Sequence, residues 1–383
     1  MKNKQTLLHL SLIDGIGPVT IKKLLQEKPS NFELSDLYTL TTADIMQQFG
    51  VSQKVAQKMY SGLQDAAKLN RELELLEKHQ IDFTAAGFED YPSLLAEIYA
   101  PPPVLYFKGN LTSDDTKTIA VIGSRKAHRY AEQIITQFVP QLVNQGWTIV
   151  SGGAIGADSM AHRQTVKSGG KTVVVLGSGL LNPYPASNKR LFDSILQTGG
   201  ALVSSFPIET HAKPGNFPAR NRIIAGLSRG CLVVQAAQKS GARITAQFAL
   251  EQGREVFAVP GPIDDELSLG CHGLIQQGAK LTGLVEDIFA ELDSNIASTG
   301  AGPAFVQQKI TQIRKKPSPP KEAQKPPLGG IGGQVWQACQ EAISVDDLGH
   351  KVGLEPHQLH ALLFELQLDG HIKQNYAGLW ERG

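Results

Sequence analysis

Cysteine is scarce in this chain: Cys231, Cys271 and Cys339 stand far apart, without the paired spacing of a metal site. A disulfide-stapled scaffold is thereby excluded, and a reducing cytoplasm is the expected location. No apolar run approaches the ~20 residues of a membrane span, so no membrane partner is expected. The opening "MKNKQTLLHLSLIDGIG" has a short apolar run after two lysines but no small-residue cleavage site. It reads as a first helix and not as a signal peptide. Two nucleotide-binding signatures are missing as well: G-x-G-x-x-G and G-x-x-x-x-G-K-[ST]. Their absence weakens readings as an NAD enzyme or an ATPase.

Acidic residues are missing from one stretch in particular. The formal net charge is only +1, yet residues 116–250 hold fifteen Lys/Arg against four Asp/Glu, a local excess of +11. Residues 251–293 reverse the balance, with Arg254 and Lys280 against nine acids. Cations gathered in this way are the footprint of a polyanion binder. The same poverty of carboxylates leaves little for paired acid–base chemistry, so no catalytic residue is assigned. Asp158 and His162, spaced i, i+4, share a helix face but lack further ligands, so neither a metal nor a cofactor is expected.

Four zones follow one another along the 383 residues. Residues 1–75 read as short helices, and "LIDGIGPVTIKKLLQ" has the turn of a helix-hairpin-helix (SAM-like) domain, with Lys22 and Lys23 on its second helix. A weaker copy lies in "QQFGVSQKVAQKMYSG". Residues 80–293 alternate β-branched runs with helix-length spans: 118–123, 147–153, 171–177, 201–206, 231–237 and 255–261. Short runs apolar on both faces and separated by helices predict an α/β fold built on a doubly wound parallel sheet. Residues 294–332, with six prolines and six basic residues against one acid, predict a flexible linker. Residues 333–383 regain helical periodicity and end in a hairpin, the pattern of a winged helix whose third helix spans 356–369. That helix has no Lys or Arg, so groove reading is doubtful and a protein contact or regulatory role is favoured.

In a doubly wound sheet, ligands bind beyond the carboxyl ends of the strands, where strand order switches. "GSRKAHR", "SGGAIGAD", "GSGLLNPYP" and "GNFPARNR" should therefore surround one crevice. Ser124 is expected to cap the helix after the first parallel strand, with Arg125 in that helix's first turn. The glycines of "SGGAIGAD" should offer backbone amides to a ligand. Arg220 and Arg222, either side of Asn221, are expected to clasp neighbouring phosphates. Lys189 and Arg190 extend the positive edge, and Tyr184 and Phe217 are candidate stacking surfaces for bases.

These stretches resemble the DprA or Smf family of DNA processing proteins. The resemblance is carried by "VIGSR", "SGGAIGADSMAH", "YPASNKRL", "PGNFPARNRIIAGLS" and "SGARITAQFALEQGREVFAVPG". It implies an extended Rossmann fold, single-stranded DNA binding, a homodimer, and a non-catalytic role in natural transformation that protects incoming strands and loads the RecA recombinase. It also implies DNA contacts from Gly123, Ser124, Arg125, Lys189, Phe217, Arg220, Asn221 and Arg222, with Gly241 nearby. The chain departs from the family's R-x-x-S-x-Y-G run, with His128 and Ala131 at the serine and glycine positions. A competing reading is an enzyme of the phosphoribohydrolase (lysine decarboxylase-like) group, which acts on nucleoside monophosphates and carries P-G-G-x-G-T-x-x-E. Here Thr245 survives, but Phe248 stands where the glutamate would be, and a hydrolase needs that carboxylate.

Overall fold

A computed structural model of the protein describes residues 2–111, 117–293, 329–375 and 379–383. The described residues up to 293 form one compact unit, and those from 329 onward belong to a second. The expected linker falls for the most part on 294–328, outside the described residues.

The first unit opens with helices α1 (Lys2–Ser11), α2 (Pro18–Glu27), α3 (Thr42–Phe49), α4 (Gln53–Gln64) and α5 (Ala67–His79). Pro18 sits in the first turn of α2, where its missing N–H costs nothing. Leu7, Leu8, Ile21, Ile45, Phe49 and Met59 share one buried core, the face their helical spacing predicts. Lys22 and Lys23 donate to the carbonyls of Tyr99 and Gly50, so the cations of the hairpin helix are engaged within the chain.

The sheet follows: β1 (Asp82–Ala85), α6 (Ser93–Ala96), β2 (Val104–Gly109), β3 (Thr118–Ile122), α7 (Arg129–Asn144), β4 (Thr148–Ser151), α8 (Ala157–Lys167) and β5 (Thr172–Val175). It continues through α9 (Lys189–Gln197), β6 (Ala201–Ser204), α10 (Asn216–Gly226), β7 (Gly230–Val233) and α11 (Gly241–Glu251). It ends with β8 (Glu255–Ala258), α12 (Leu269–Gln276), β9 (Lys280–Leu281) and α13 (Glu286–Leu292). The nine strands lie in the order β1-β2-β6-β5-β4-β3-β7-β8-β9. Strands β3 to β9 pair in parallel, whereas β2 joins both β1 and β6 antiparallel. Each of the six anticipated strands is present, and the order reverses at β3 and β7, which fixes the crevice between their carboxyl ends. Ile135, Phe138 and Leu142 of α7 and Ile288 of α13 pack in one core with Ile119 and Phe257 of the sheet. Ile223 and Ile224 of α10 and Ala246 of α11 pack in another with Ala120 and Val233.

In the second unit, α14 (Gly330–Ala338), α15 (Val345–Val352) and α16 (Pro356–Leu368) precede a hairpin of β10 (Ile372–Gln374) and β11 (Trp380–Arg382). Val335, Leu348, Leu359, Leu363, Ile372 and Trp380 fill its core. This is a winged helix with its third helix where the periodicity places it.

His162 lies wholly inside the first unit. Its Nδ1 is 2.8 Å from the Thr172 hydroxyl, which itself donates to the Ile149 carbonyl at 2.6 Å. With its hydrogen given to Ile149, that hydroxyl accepts from Nδ1–H, and Nε2 is left buried without a partner. Burial, and then the nearby Arg220 charge, pull the imidazole pKa down to about 3. The unfolded chain titrates near 6.5, so it takes up a proton that the folded protein refuses. Stability is therefore expected to fall as pH drops from about 6.5 toward 3, by up to ~1.4 kcal/mol per pH unit from this group. Denaturant melts at stepped pH, with His162→Gln as reference, check this: the difference between the two proteins should carry the slope.

Candidate nucleic-acid interface

Three loops from the strand ends and the start of α10 meet around a cavity of about 60 Å³, lined by Arg125, Gly152, Ile155, Tyr184, Phe217 and Arg220 among others. The Tyr184 and Phe217 rings lie 5.7 Å apart at 50°. The Arg125 guanidinium sits over the Phe217 ring at 5.1 Å from its centre, within cation–π range. Tyr184 is 50% exposed, and Arg125 also faces solvent. An aromatic face and a solvent-facing cation therefore border one opening.

The floor of this opening is already charged. Asp158, in the first turn of α8, is buried, and its Oδ2 accepts from the amides of Gly152 at 3.1 Å and Ala154 at 3.3 Å. Ala157 N, at the start of α8, donates to the Ser124 carbonyl at 3.1 Å. Of the glycine amides expected to face a ligand, that of Gly152 is thus taken by the protein's own carboxylate, as are the neighbouring amides of Ala154 and Ala157 by oxygens of the chain. Any side chain at position 152 would drive a Cβ into Arg220 and the Asp158 carboxylate, so glycine is required there. Burial raises the Asp158 pKa, with the Arg220 charge and the amide bonds opposing it.

Arg220 is 4% exposed. Its Nη1 donates to the carbonyls of Gly152 and Val175, at the ends of β4 and β5. Desolvation lowers its pKa to about 10, against the pull of Asp158 and with the push of Arg125. Arg222, two residues along α10, donates to the Ala100 carbonyl, and burial lowers its pKa too. The expected clasp by Arg220 and Arg222 is therefore corrected. Both lie inside α10, and residues i and i+2 of a helix do not face the same side. Each is engaged by main-chain carbonyls of this chain. The two guanidinium groups that do converge are Arg125 and Arg220.

The other predicted residues fall in two groups. Gly123 ends β3 against α8: a Cβ there would lie 2.8 Å from the Ala157 Cβ and 2.9 Å from the Gln235 oxygen. Ser124 is buried, and its Oγ accepts from Lys126 N at 3.0 Å, so it shapes the 124–128 loop and does not cap α7. The cap is His128, whose Nδ1 accepts from Tyr130 N at 3.3 Å. Arg125 therefore projects from the loop and not from the helix. Away from the cavity, Lys189 opens α9 and is exposed, with its Nζ 3.0 Å from Asp193, a surface pair worth little. Gly241 begins α11 in open space, and its carbonyl accepts from Asn221 Nδ2 at 3.4 Å. Gln235, just past β7, escaped the sequence reading. A glutamine inside the apolar run "CLVVQAA" at a strand end was the signal available.

The chain resembles known proteins along most of its length. Residues 82–293 match the family model of DNA recombination-mediator protein A, and residues 319–377 match that of the DprA winged helix domain. DNA processing protein DprA of Bacillus subtilis is 42% identical over 226 residues, 59% of this chain and 76% of that one. The X-ray structure of DprA from Streptococcus pneumoniae superposes with a TM-score of 0.64 at 36% identity, covering 75% of this chain and 97% of that one. DNA processing protein A of Helicobacter pylori, whose structure concerns that protein's single-stranded DNA binding mode, gives 0.50 at 26% identity over 56% of this chain and 97% of that one. With one family model spanning more than half of its residues and such relatives beside it, the chain is a member of the DprA/Smf family of DNA processing proteins.

Proposed function

We infer that this protein binds single-stranded DNA without chemistry, as a DNA processing protein of natural transformation and recombination. The observation that carries the reading is the exposed Arg125 guanidinium stacked on Phe217 beside Tyr184 at the sheet's switch point. A base stacks on the rings and its phosphate meets Arg125, an arrangement every nucleotide satisfies. Lys189 and the open backbone of Gly241 continue the track, and Gly123, Ser124 and Asn221 frame it. Arg220 and Arg222 hold α10 in place from within. Phe248, at the position of the hydrolase glutamate, packs against an apolar core, which favours binding over hydrolysis.

Three further parts complete the reading. A homodimer is supported by an apolar edge: Ile263, Leu281 and Leu284 are well exposed at and near the outermost strand β9. Loading of RecA and a cytoplasmic location follow from the family resemblance. Between the helical start, the sheet domain and the winged helix, DNA affinity is assigned to the sheet domain. The side chains that α16 exposes (Gln358, His360, Phe364, Glu365 and Gln367 among them) include no Lys or Arg, so the winged helix is assigned a protein contact.

Two variants separate contact from support. Arg125→Ala should keep the wild-type melting temperature, weaken binding to an oligo-dT strand, and flatten the log–log salt dependence by ~0.7. Arg220→Ala should instead lose ~3–5 kcal/mol of stability, because it leaves a buried carboxylate and two carbonyls without their cation. Anisotropy titrations and thermal melts read both; an Arg125→Ala, Phe217→Ala double variant that binds like wild type would overturn the site. For the dimer, Leu281→Arg with Leu284→Arg should halve the mass seen by sedimentation equilibrium, and a wild-type protein already at monomer mass refutes that part.

A further inference from the structure

Gln235 is 1% exposed at the switch point, and it holds the loop that carries Arg125 at both ends. Its carbonyl accepts from Ser124 N at 2.7 Å. Its Oε1 accepts from His128 N at 3.2 Å. Those two bonds close the 124–128 loop on a single side chain and its own backbone. The amide nitrogen then donates to Asp265 Oδ2 at 3.1 Å.

Asp265 is the second anchor. Its Oδ1 accepts from Leu267 N at 2.9 Å, and its Oδ2 also meets Ser268 Oγ at 3.3 Å and His128 Nε2 at 3.1 Å. Partial burial opposes ionisation, yet the bonds from Leu267, His128 and Ser268 outweigh it and hold the carboxyl below its usual range. His128 is thus fixed at Nδ1 by Tyr130 N, and its Nε2 meets both Asp265 Oδ2 at 3.1 Å and Gln235 Nε2 at 2.9 Å. Of the loop's residues, Arg125, Lys126 and His128 are exposed, and Arg125 is the one stacked on Phe217.

We propose that Gln235 and Asp265 are positioning residues for DNA binding: they lock the 124–128 loop so that Arg125 already lies over Phe217 before the strand arrives. This rests on the reading of Arg125 as a strand contact. A loop fixed in advance does not have to be ordered on binding, so the affinity of a weak, repeated contact is retained. The lock acts through Arg125 and removes no charge. Its loss should therefore lower affinity while leaving the salt dependence as steep as in wild type.

The test is a double-mutant cycle on oligo-dT binding by the full chain, read by anisotropy across a salt series. Gln235→Ala is expected to weaken binding roughly five- to tenfold, as freeing one arginine-bearing loop implies, with an unchanged salt slope. In an Arg125→Ala background the same substitution should cost less than about twofold. Should buried Gln235→Ala fail to fold, Gln235→Met, which keeps the volume and the net charge and removes the amide, carries the same cycle. Hydrogen exchange at residues 124–130 should accelerate in either variant. Equal losses in both backgrounds, or a flattened salt slope, would overturn the positioning role. An Arg125→Ala protein that binds as tightly as wild type would instead remove the contact reading beneath it, so the two failures are told apart.

Discussion

The carboxylate of Asp158, seated in the backbone amides after β4, is the constraint from which the site follows. A doubly wound sheet ordinarily offers those amides and the adjoining helix N-terminus to a phosphate. Here the protein supplies its own anion, and Ser124 fills the first amide of α8. An uncompensated buried carboxylate would be costly, and Arg220 provides the opposite charge nearby. Arg220 in turn ties the ends of β4 and β5 to α10. The floor of the crevice is therefore held by the chain's own charges and carbonyls, and the groups left facing solvent are those of the loops above it.

That displacement explains which cations face solvent. Arg220 and Arg222 are engaged by carbonyls of the chain, so their charge steadies the fold. Arg125, Lys189 and their exposed neighbours stand in high dielectric, where each contact is worth little and is screened by salt. A ligand gains from such contacts only by making several of them at once. A polymer with evenly spaced phosphates does so, and a mononucleotide does not.

The sheet could be read from the sequence because its central strands are β-branched runs separated by helix-length spans. The strands that escaped are those where that logic fails. β1 and β2 pair antiparallel with only the four-residue α6 between them, and β9 is two residues long. The site was legible as residue types and only partly as geometry. "GNFPARNR" announces cations, but charge counting cannot tell an arginine facing solvent from one facing carbonyls. The partner of Arg220 lies far back in the chain at Asp158, and no local pattern links them. Gln235 was hidden for the same reason, since its work is done on a loop more than a hundred residues earlier.

His128, where the resemblance to the family implies a serine, fits this architecture. A serine at a helix N-cap accepts one amide bond from the first turn. His128 accepts that bond through Nδ1 and reaches on with Nε2 to Asp265 in the loop after β8. The larger side chain thus fastens the loop after β3 to the loop after β8, across the strand between them. A capping residue has become a tie between two sides of the switch point, and it lies on the acidic edge, where Asp264, Asp265 and Glu266 follow one another. Three of the nine acids of residues 251–293 stand there, so an anionic edge borders the cationic stretch of residues 116–250. A polyanion is repelled by the first and drawn to the second.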